Sequence, residues 1–317
     1  GNSPGQPQRE EIDLDGSKAG GQAPPLMLGM QMPDLERWSS RVVTALGQNP
    51  SAFTGPGTNT YLVGTGQEQI LLDTGDGRAA FLPVLERAME LAGCRAIQEI
   101  VLTHGHPDHI GGVQSVLDRM GPIPVRKMPN AAFDAPYGFP IGELGDNCVI
   151  ETEGATLRGF HTPGHAPDHL CFLLEEEEGL FTGDNVLGVG TTVIPSETGD
   201  LRDYLASLEK LLALAPARIF PAHGPLVADG STKIQEYIAH RLEREAEIIA
   251  ALEKGSDRVS DIVKIIYAAY PESLYAAAGQ SVTAHLQKLE SEQRVVASGE
   301  DPADRSWRLR QVPPSRD

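Results

Sequence analysis

Ile97-Gln98-Glu99-Ile100-Val101-Leu102-Thr103-His104-Gly105-His106-Pro107-Asp108-His109 decides how the rest of the chain is read. The run Ile97 to Leu102 reads as a buried strand, and just beyond it three imidazoles and a carboxylate fall within six positions. Such a cluster is a costly way to build a core, because every buried ring nitrogen needs a partner. Neutral imidazole and carboxylate are ligands that suit zinc. The stretch therefore predicts a dinuclear metal site at the end of a strand, with hydrolysis as its leading chemistry.

Other segments repeat the same local grammar. Of nine histidines, seven fall in three short segments: His104, His106 and His109; His161, His165 and His169; and His223 in Phe220-Pro221-Ala222-His223-Gly224. In each, an apolar strand runs into a turn marked by Gly or Pro, where side chains from neighbouring strand ends can converge. A fourth segment, Gly179-Leu180-Phe181-Thr182-Gly183-Asp184, ends a strand in a carboxylate. Four strand ends delivering these groups to one rim would define two adjacent metal positions.

The ordered set HxHxDH, then a lone His, then Asp, then a lone His resembles the metallo-β-lactamase superfamily over roughly residues 36 to 230. By that resemblance His104, His106 and His165 hold one zinc, Asp108, His109 and His223 hold the other, and Asp184 bridges them, giving two zinc ions per chain. Two zincs about 3.5 to 4 Å apart can share a hydroxide and clamp attacking and leaving oxygens. Asp73, in Leu71-Leu72-Asp73-Thr74-Gly75, resembles the buried carboxylate that steadies ligand histidines in this superfamily. Zinc β-lactamases of the commonest type use a cysteine where this chain has Asp184, and Cys94, Cys148 and Cys171 all lie outside the ligand segments. Antibiotic cleavage is therefore not expected as the main activity. Hydroxyacylglutathione hydrolases, thioesterases and nucleases share the aspartate pattern.

Composition agrees with an enzyme. A chain of 317 residues, 40% hydrophobic, can bury one large core and a smaller second domain. Three cysteines make no disulfide framework and suggest a reducing compartment. No apolar run reaches eighteen residues, so no membrane span is expected. Residues 1 to 35, rich in Gly, Pro, Gln and Ser, read as a flexible tail. Its acidic residues Glu10, Glu11, Asp13 and Asp15 do not fit an intact mitochondrial transit peptide.

From residue 58 strands and helices alternate. Thr60 to Val63 and Gln69 to Asp73 read as paired strands, Arg78 to Leu91 as an amphipathic helix, and a further helix is expected just after His109. Pro129 to Gly145 reads as an irregular insertion near the site. Strands are expected at Val149 to Glu151, Ala155 to Phe160, Leu170 to Leu174, Leu180 to Thr182 and Arg218 to Pro221, with a helix from Arg202 to Leu214. The fold class is thus α/β, a four-layer αβ/βα sandwich over residues 36 to 230.

Residues 231 to 317 read as a separate helical module. A long helix from Ser231 to Lys254, one capped by Ser260, one carrying Val282, Leu286 and Leu289, and a two-stranded wing at Arg294 to Ala297 and Ser306 to Arg310 make a winged-helix-like domain. This region carries 12 basic and 14 acidic residues, a net of −2, leaving −16 of the total −18 to the first 230 residues. The module can face a polyanion, though it is no strong basic trap.

A narrower resemblance covers almost everything after residue 37. Pro56-Gly57-Thr58-Asn59-Thr60-Tyr61-Leu62-Val63-Gly64, Thr152-Glu153-Gly154-Ala155-Thr156-Leu157-Arg158, Gly190-Thr191-Thr192-Val193 and Val263-Lys264-Ile265-Ile266-Tyr267 resemble the lactamase-beta-like protein 2 group. That group comprises mitochondrial endoribonucleases with a C-terminal winged-helix-like domain and a preference for single-stranded RNA. The resemblance implies a zinc endoribonuclease in which a zinc-bridging hydroxide attacks phosphorus, located in the mitochondrial matrix, or otherwise in the cytoplasm, and not secreted. Asp108 and His169 are then the candidate catalytic groups, His169 for proton transfer or substrate orientation, with a structural role behind the ligands as its leading alternative. Thr58 and Asn59 are candidate substrate contacts, and Arg241, Arg244, Lys264 and Lys288 candidate RNA-backbone contacts. Related fungal thioesterases keep acyl thioester hydrolysis as the alternative. A non-catalytic RNA-binding scaffold is the third possibility, against which the intact ligand set speaks.

Overall fold

The computed structural model describes residues 29–301 and 305–310. Most of the expected tail, residues 1–28, lies outside the described residues. Seven strands form one sheet in chain order: β1 (Leu35–Arg37), β2 (Val42–Leu46), β3 (Asn59–Val63), β4 (Glu68–Leu72), β5 (Ala96–Val101), β6 (Val125–Lys127) and β7 (Gly142–Glu143). The first four are an antiparallel meander, whereas β4 through β7 run parallel. Parallel neighbours need crossovers. Helix α1 (Phe81–Ala92) supplies one, the short α2 (Pro107–Ile110) with α3 (Val113–Met120) the next, and α4 (Ala131–Asp134) sits in the link from β6 to β7.

The second sheet has the order β12-β11-β10-β9-β8, built from β8 (Val149–Thr152), β9 (Ala155–His161), β10 (Leu170–Leu174), β11 (Gly179–Gly183) and β12 (Arg218–Pro221). It is antiparallel except for β11 and β12, which α5 (Leu201–Ala213) joins. The sheets face each other across Tyr61, Ile70 and Leu72 on one side and Leu157, Phe172, Phe181 and Phe220 on the other, all buried. Outside them, Phe81, Leu85, Val113 and Val116 of α1 and α3 cover the first sheet. Tyr204, Leu208 and Leu211 of α5, with Ile234 and Tyr237 of α6 (Gly230–Glu253), cover the second. The order helix, sheet, sheet, helix is the αβ/βα sandwich expected. Burial of each large apolar side chain, worth about 1.5–3 kcal/mol, holds the layers together.

The C-terminal module follows as α7 (Val259–Ile266), α8 (Tyr275–Ser291) and a hairpin of β13 (Val295–Ser298) with β14 (Ser306–Leu309), closed over its own cluster of Ile248, Ile262, Val282, Leu286 and Trp307. Several boundaries differ from expectation for physical reasons. β1 and β2 precede the alternation expected from residue 58; Val42-Val43-Thr44-Ala45-Leu46 is buried on both faces and so shows no period of two. The stretch Pro129 to Gly145, expected to be irregular, contains α4 and β7. The helix expected just after His109 is α3, and a further short helix, α2, precedes it with Pro107 in its first turn. Ser260 lies inside α7, whose cap position is Arg258 with no side-chain cap. No helix among the described residues is long and apolar enough to cross a membrane.

Candidate metal centre

The C-terminal ends of β4, β5, β9, β11 and β12 meet at one edge of the sandwich, and the loops beyond them carry every ligand candidate. His104 follows β5, His106 is the cap of α2, and Asp108 and His109 lie on α2 itself. His165 follows β9, Asp184 follows β11 and His223 follows β12. Gly183 makes the turn into Asp184 with φ +50°, and a side chain there would stand 2.5 Å from the ring of His169. Glycine is what lets the strand end so close to that ring.

Two donor sets result. In one, His104 Nε2 and His165 Nε2 each lie 3.0 Å from His106 Nδ1, and Asp184 Oδ2 lies 3.3 Å from His165 Nε2 and 4.0 Å from His104 Nε2. In the other, His109 Nε2 lies 3.3 Å from both Asp108 Oδ2 and Asp184 Oδ1, while His223 Nε2 lies 3.3 Å from Asp108 Oδ2 and 3.1 Å from Asp184 Oδ1. Asp184 thus turns one oxygen to each set. Donor spacings close to 3.3 Å are the edges of a tetrahedron about a cation with bonds of about 2.0–2.1 Å. Two buried atoms of the second set, His109 Nε2 and Asp184 Oδ1, have no hydrogen-bond partner. Both facts fit a metal ion in each set. The seven residues expected as ligands are the seven that converge.

Surrounding groups hold the rings in the tautomer a ligand needs. His109 Nδ1 lies 2.8 Å from Asp73 Oδ2, His165 Nδ1 lies 2.7 Å from the Val193 carbonyl, His223 Nδ1 lies 3.3 Å from the Gly57 carbonyl, and His104 Nδ1 lies 3.0 Å from Thr103 Oγ1. With Nδ1 so engaged, Nε2 of each of these rings is left for a cation. Asp73 also accepts from the Thr103 N–H and hydroxyl, each at 2.8 Å, and keeps a φ of +60° that few non-glycine residues adopt. The hydrogen bonds stabilise that strained backbone against relaxation.

Electrostatics separate the two sets. Burial, then neighbouring imidazoles, pushes His104 far below its ordinary pKa and His106 down to about 4, so both are neutral and ready to ligate at pH 7. Burial alone would lower His109 too, yet the carboxylates of Asp108, Asp184 and Asp73 raise it well above its ordinary value, and His223 rises to about 9 chiefly through Asp184. Although burial opposes it, the facing histidines drive Asp184 and Asp108 far below the carboxylate range. In the second set the carboxylates of Asp108 and Asp184 are thus balanced by protons on His109 and His223, and a divalent cation would take the place of those protons.

His169 sits behind Asp184, in a positioning rather than a proton-transferring place. Its ring is fully buried; Nδ1 lies 3.0 Å from Thr162 Oγ1 and Nε2 accepts the Asp184 backbone N–H at 3.2 Å. With both nitrogens engaged away from solvent, it positions Asp184 and has no route to transfer a proton. Thr58 and Asn59 are likewise buried: Thr58 pairs with Asn49, and Asn59 Nδ2 donates to the carbonyls of Pro221 and Gly224, which anchors the loop bearing His223. Arg241 and Arg244 are also turned inward rather than towards a ligand. The Arg241 guanidinium donates to the Thr192 carbonyl at 2.6 Å, Arg244 pairs with Glu247, and Lys288 pairs with Glu245. Lys264 alone of those four is exposed. His161 hydrogen-bonds the Pro167 carbonyl, and His285 is buried beside Glu245.

Two further residues shape the site. Lys127 ends β6 with no exposure, its ammonium 2.6 Å from Asp168 Oδ2, 2.7 Å from Asp134 Oδ1 and 2.7 Å from the Met128 carbonyl. It ties the loop bearing His165 and His169 to α4. The second is Gly105: a Cβ there would lie 2.6 Å from Phe133 Cβ and 3.1 Å from Asp168 Oδ2. The ring of Phe133 stands 5.4 Å from that of His106 and forms part of the wall beside the first donor set. Asp168, three residues past His165, could have been noticed as a carboxylate within a histidine motif. Lys127 could not, since its partners are distant in the chain.

Comparison with known proteins agrees with this geometry. Residues 53–223 match the family model described as metallo-beta-lactamase superfamily, and residues 259–307 match the beta-lactamase associated winged helix domain. A protein of Drosophila melanogaster named beta-lactamase-like protein 2 homolog is 38% identical, over 84% of this chain and 94% of its own. An atrochrysone carboxyl ACP thioesterase of Claviceps purpurea is 37% identical, over 75% of each. The crystal structure of a beta-lactamase domain protein from Burkholderia ambifaria, 19% identical, superposes with a TM-score of 0.74 over 89% of this chain and 96% of its own, and so shares the fold.

Proposed function

The chain belongs to the metallo-β-lactamase superfamily, and from that premise we propose that it is a dinuclear zinc hydrolase whose substrate is single-stranded RNA. The observation that carries the hydrolytic reading is the pair of donor sets sharing Asp184, one carboxylate oxygen to each. Bound in those sets, two zinc ions supply Lewis acidity and water activated at neutral pH. Among the chain's own groups, Asp108 is the ligand carboxylate that reaches solvent, with a quarter of its side chain open, so it borders the place where substrate arrives. Partial burial, then the charge of Asp108, raises the pKa of Tyr137 and keeps its phenol protonated, which makes it the candidate to protonate a leaving oxygen.

RNA as the substrate is supported by the winged-helix module and by the resemblance to the lactamase-beta-like protein 2 group, whose name two relatives carry. The resemblance of the segments outside the ligands carries the mitochondrial location with it. A second reading, acyl thioester hydrolysis, is favoured by the relatives named thioesterases and by the aromatic wall of Phe133 beside His106. One assay separates the two: zinc-loaded protein is offered labelled unstructured RNA and a panel of acyl thioesters, with His165→Ala as control. The RNA reading expects strand scission that is lost in His165→Ala and on chelation. Thioester turnover unaffected by excess RNA, with no scission, overturns it in favour of the second reading.

A further inference from the structure

Behind the first donor set, residues 189–194 belong to no helix or strand and make no backbone–backbone hydrogen bond among the described residues. Their position nevertheless matters to a ligand. The Val193 carbonyl accepts from His165 Nδ1 at 2.7 Å, and Thr192 Oγ1 lies 3.4 Å from the same nitrogen. A carbonyl there keeps the ring proton on Nδ1 and leaves Nε2 for a cation. It can do so only if the loop that bears it stays in place.

Side chains from the two helices covering this sheet hold the loop. Tyr204 of α5 donates its hydroxyl proton to the Asn185 carbonyl, Tyr237 of α6 donates to the Gly190 carbonyl, and the Arg241 guanidinium of α6 donates to the Thr192 carbonyl, each at 2.6 Å. Tyr237 Oη also accepts the Leu187 N–H at 3.0 Å. Positions 237 and 241 are about one turn apart on α6, so both meet the loop from one face of the helix.

Packing alone gives no reason for an arginine at 241. The residue is 4% exposed, and its Nε has no hydrogen-bond partner among the described residues. Burying a guanidinium with a donor unmet costs more than burying an apolar side chain of similar volume. The Tyr204 ring, 5.3 Å from the charge, offsets part of that cost. What an apolar residue could not supply is a charge-assisted donor to the carbonyl beside Val193.

We infer that Arg241 is a positioning residue of the metal centre. With Tyr237 it fixes residues 189–194, and through the Val193 carbonyl it fixes the tautomer and direction of His165. The inference rests on the metal-centre reading above. An anchor that served folding alone would weaken the fold in these variants without a loss of metal specific to the first set.

Zinc affinity of the full chain is measured by competition with a chromophoric chelator for Arg241→Met and Tyr237→Phe. The control is Lys288→Met, which removes a partner of Glu245 four residues further along α6 and touches neither the loop nor a ligand. Each substitution is made in a His223→Ala background, which keeps the first set whole, and in a His165→Ala background. With His223→Ala, affinity should fall about tenfold in Arg241→Met, at the low end for groups behind a ligand, and severalfold in Tyr237→Phe. With His165→Ala neither should change it, because the ring through which they act is gone. Lys288→Met should stay at the background value in both. Unchanged affinity in Arg241→Met and Tyr237→Phe, a loss that persists with His165→Ala, or an equal loss in Lys288→Met overturns the inference and leaves the metal centre standing. A parent chain that takes up no zinc overturns both. Tyr237→Phe removes a single oxygen and carries the test if Arg241→Met fails to fold.

Discussion

Replacing Lys127 by Met tests how the centre is held. The ammonium has three oxygen partners within 2.7 Å, and of the two carboxylates Asp168 is fully buried while Asp134 is about one-fifth exposed. Asp134 can rehydrate, so the penalty falls on Asp168. Removing one member of a buried pair costs about 3–5 kcal/mol. Protonation sets a ceiling: moving a carboxyl from an ordinary pKa of 3.8 to the protonated form at pH 7 costs about 4.4 kcal/mol, and at pH 5 only about 1.6 kcal/mol. Asp168 already has a raised pKa through burial, with Lys127 opposing that rise. A raised carboxyl favours the folded state below its unfolded pKa, and that advantage is lost as pH rises through the folded value. Urea denaturation of metal-free Lys127→Met should therefore show a loss of about 3–4 kcal/mol at pH 7, shrinking to about 2 kcal/mol or less at pH 5. Lys127→Met with Asp168→Asn should recover much of it, because no uncompensated charge remains. A loss below about 1 kcal/mol at pH 7, or one that does not change with pH, would refute the role assigned to this pair.

Asp73→Asn would turn an amide N–H or a carbonyl towards His109 Nδ1, and the amide form forces the tautomer that cannot ligate through Nε2; zinc affinity should drop about 10–100-fold in a competition titration with the fold retained. Tyr137→Phe should lower kcat about 10²–10⁴-fold with little change in zinc content, and an unchanged kcat would remove Tyr137 as proton donor. Gly105→Ala places a methyl 2.6 Å from Phe133 Cβ; KM is expected to move more than kcat as α4 shifts, and an unchanged KM would remove the steric role assigned to Gly105. Glu245 is drawn down to about 2 by His285, Lys288 and their neighbours against the cost of burial, so its stabilisation is present above about 4.5 and lost as pH falls toward 2; the acid limb of a Tm–pH profile should flatten in Glu245→Gln.

The ligands were legible because metal chemistry demands residue types that are rare in a core, at strand ends that periodicity marks. Asp184 was legible for the same reason, as a carboxylate closing Leu180-Phe181-Thr182-Gly183. The sandwich followed from alternating strands and helices, but β2 escaped because burial on both faces removes the alternation that identifies a strand. His169 could not be assigned between a catalytic and a positioning role, because its spacing from His165 carries no sign of depth. Only the fold shows it behind Asp184, accepting the Asp184 N–H. Arg241 and Arg244 show the same limit: on a helix of 24 residues with a mixed surface, nothing local separates an arginine facing water from one stacked on Tyr204 or Tyr267.

The link between β6 and β7 shapes the wall beside the first donor set. The donor sets offer places for cations, and relatives of different names match most of the chain. Beside the first set the wall is set by Gly105, whose lack of a side chain admits Phe133. Phe133 is in turn located by α4, which is capped by Asn130 and pinned through Asp134 to Lys127. Lys127 also holds Asp168, packed against the turn between His104 and His106. One buried ammonium thus sets both the position of the ligand loop and the wall that substrate meets. A change of residue at 105, 127 or 133 can alter what is admitted while leaving all seven ligands in place.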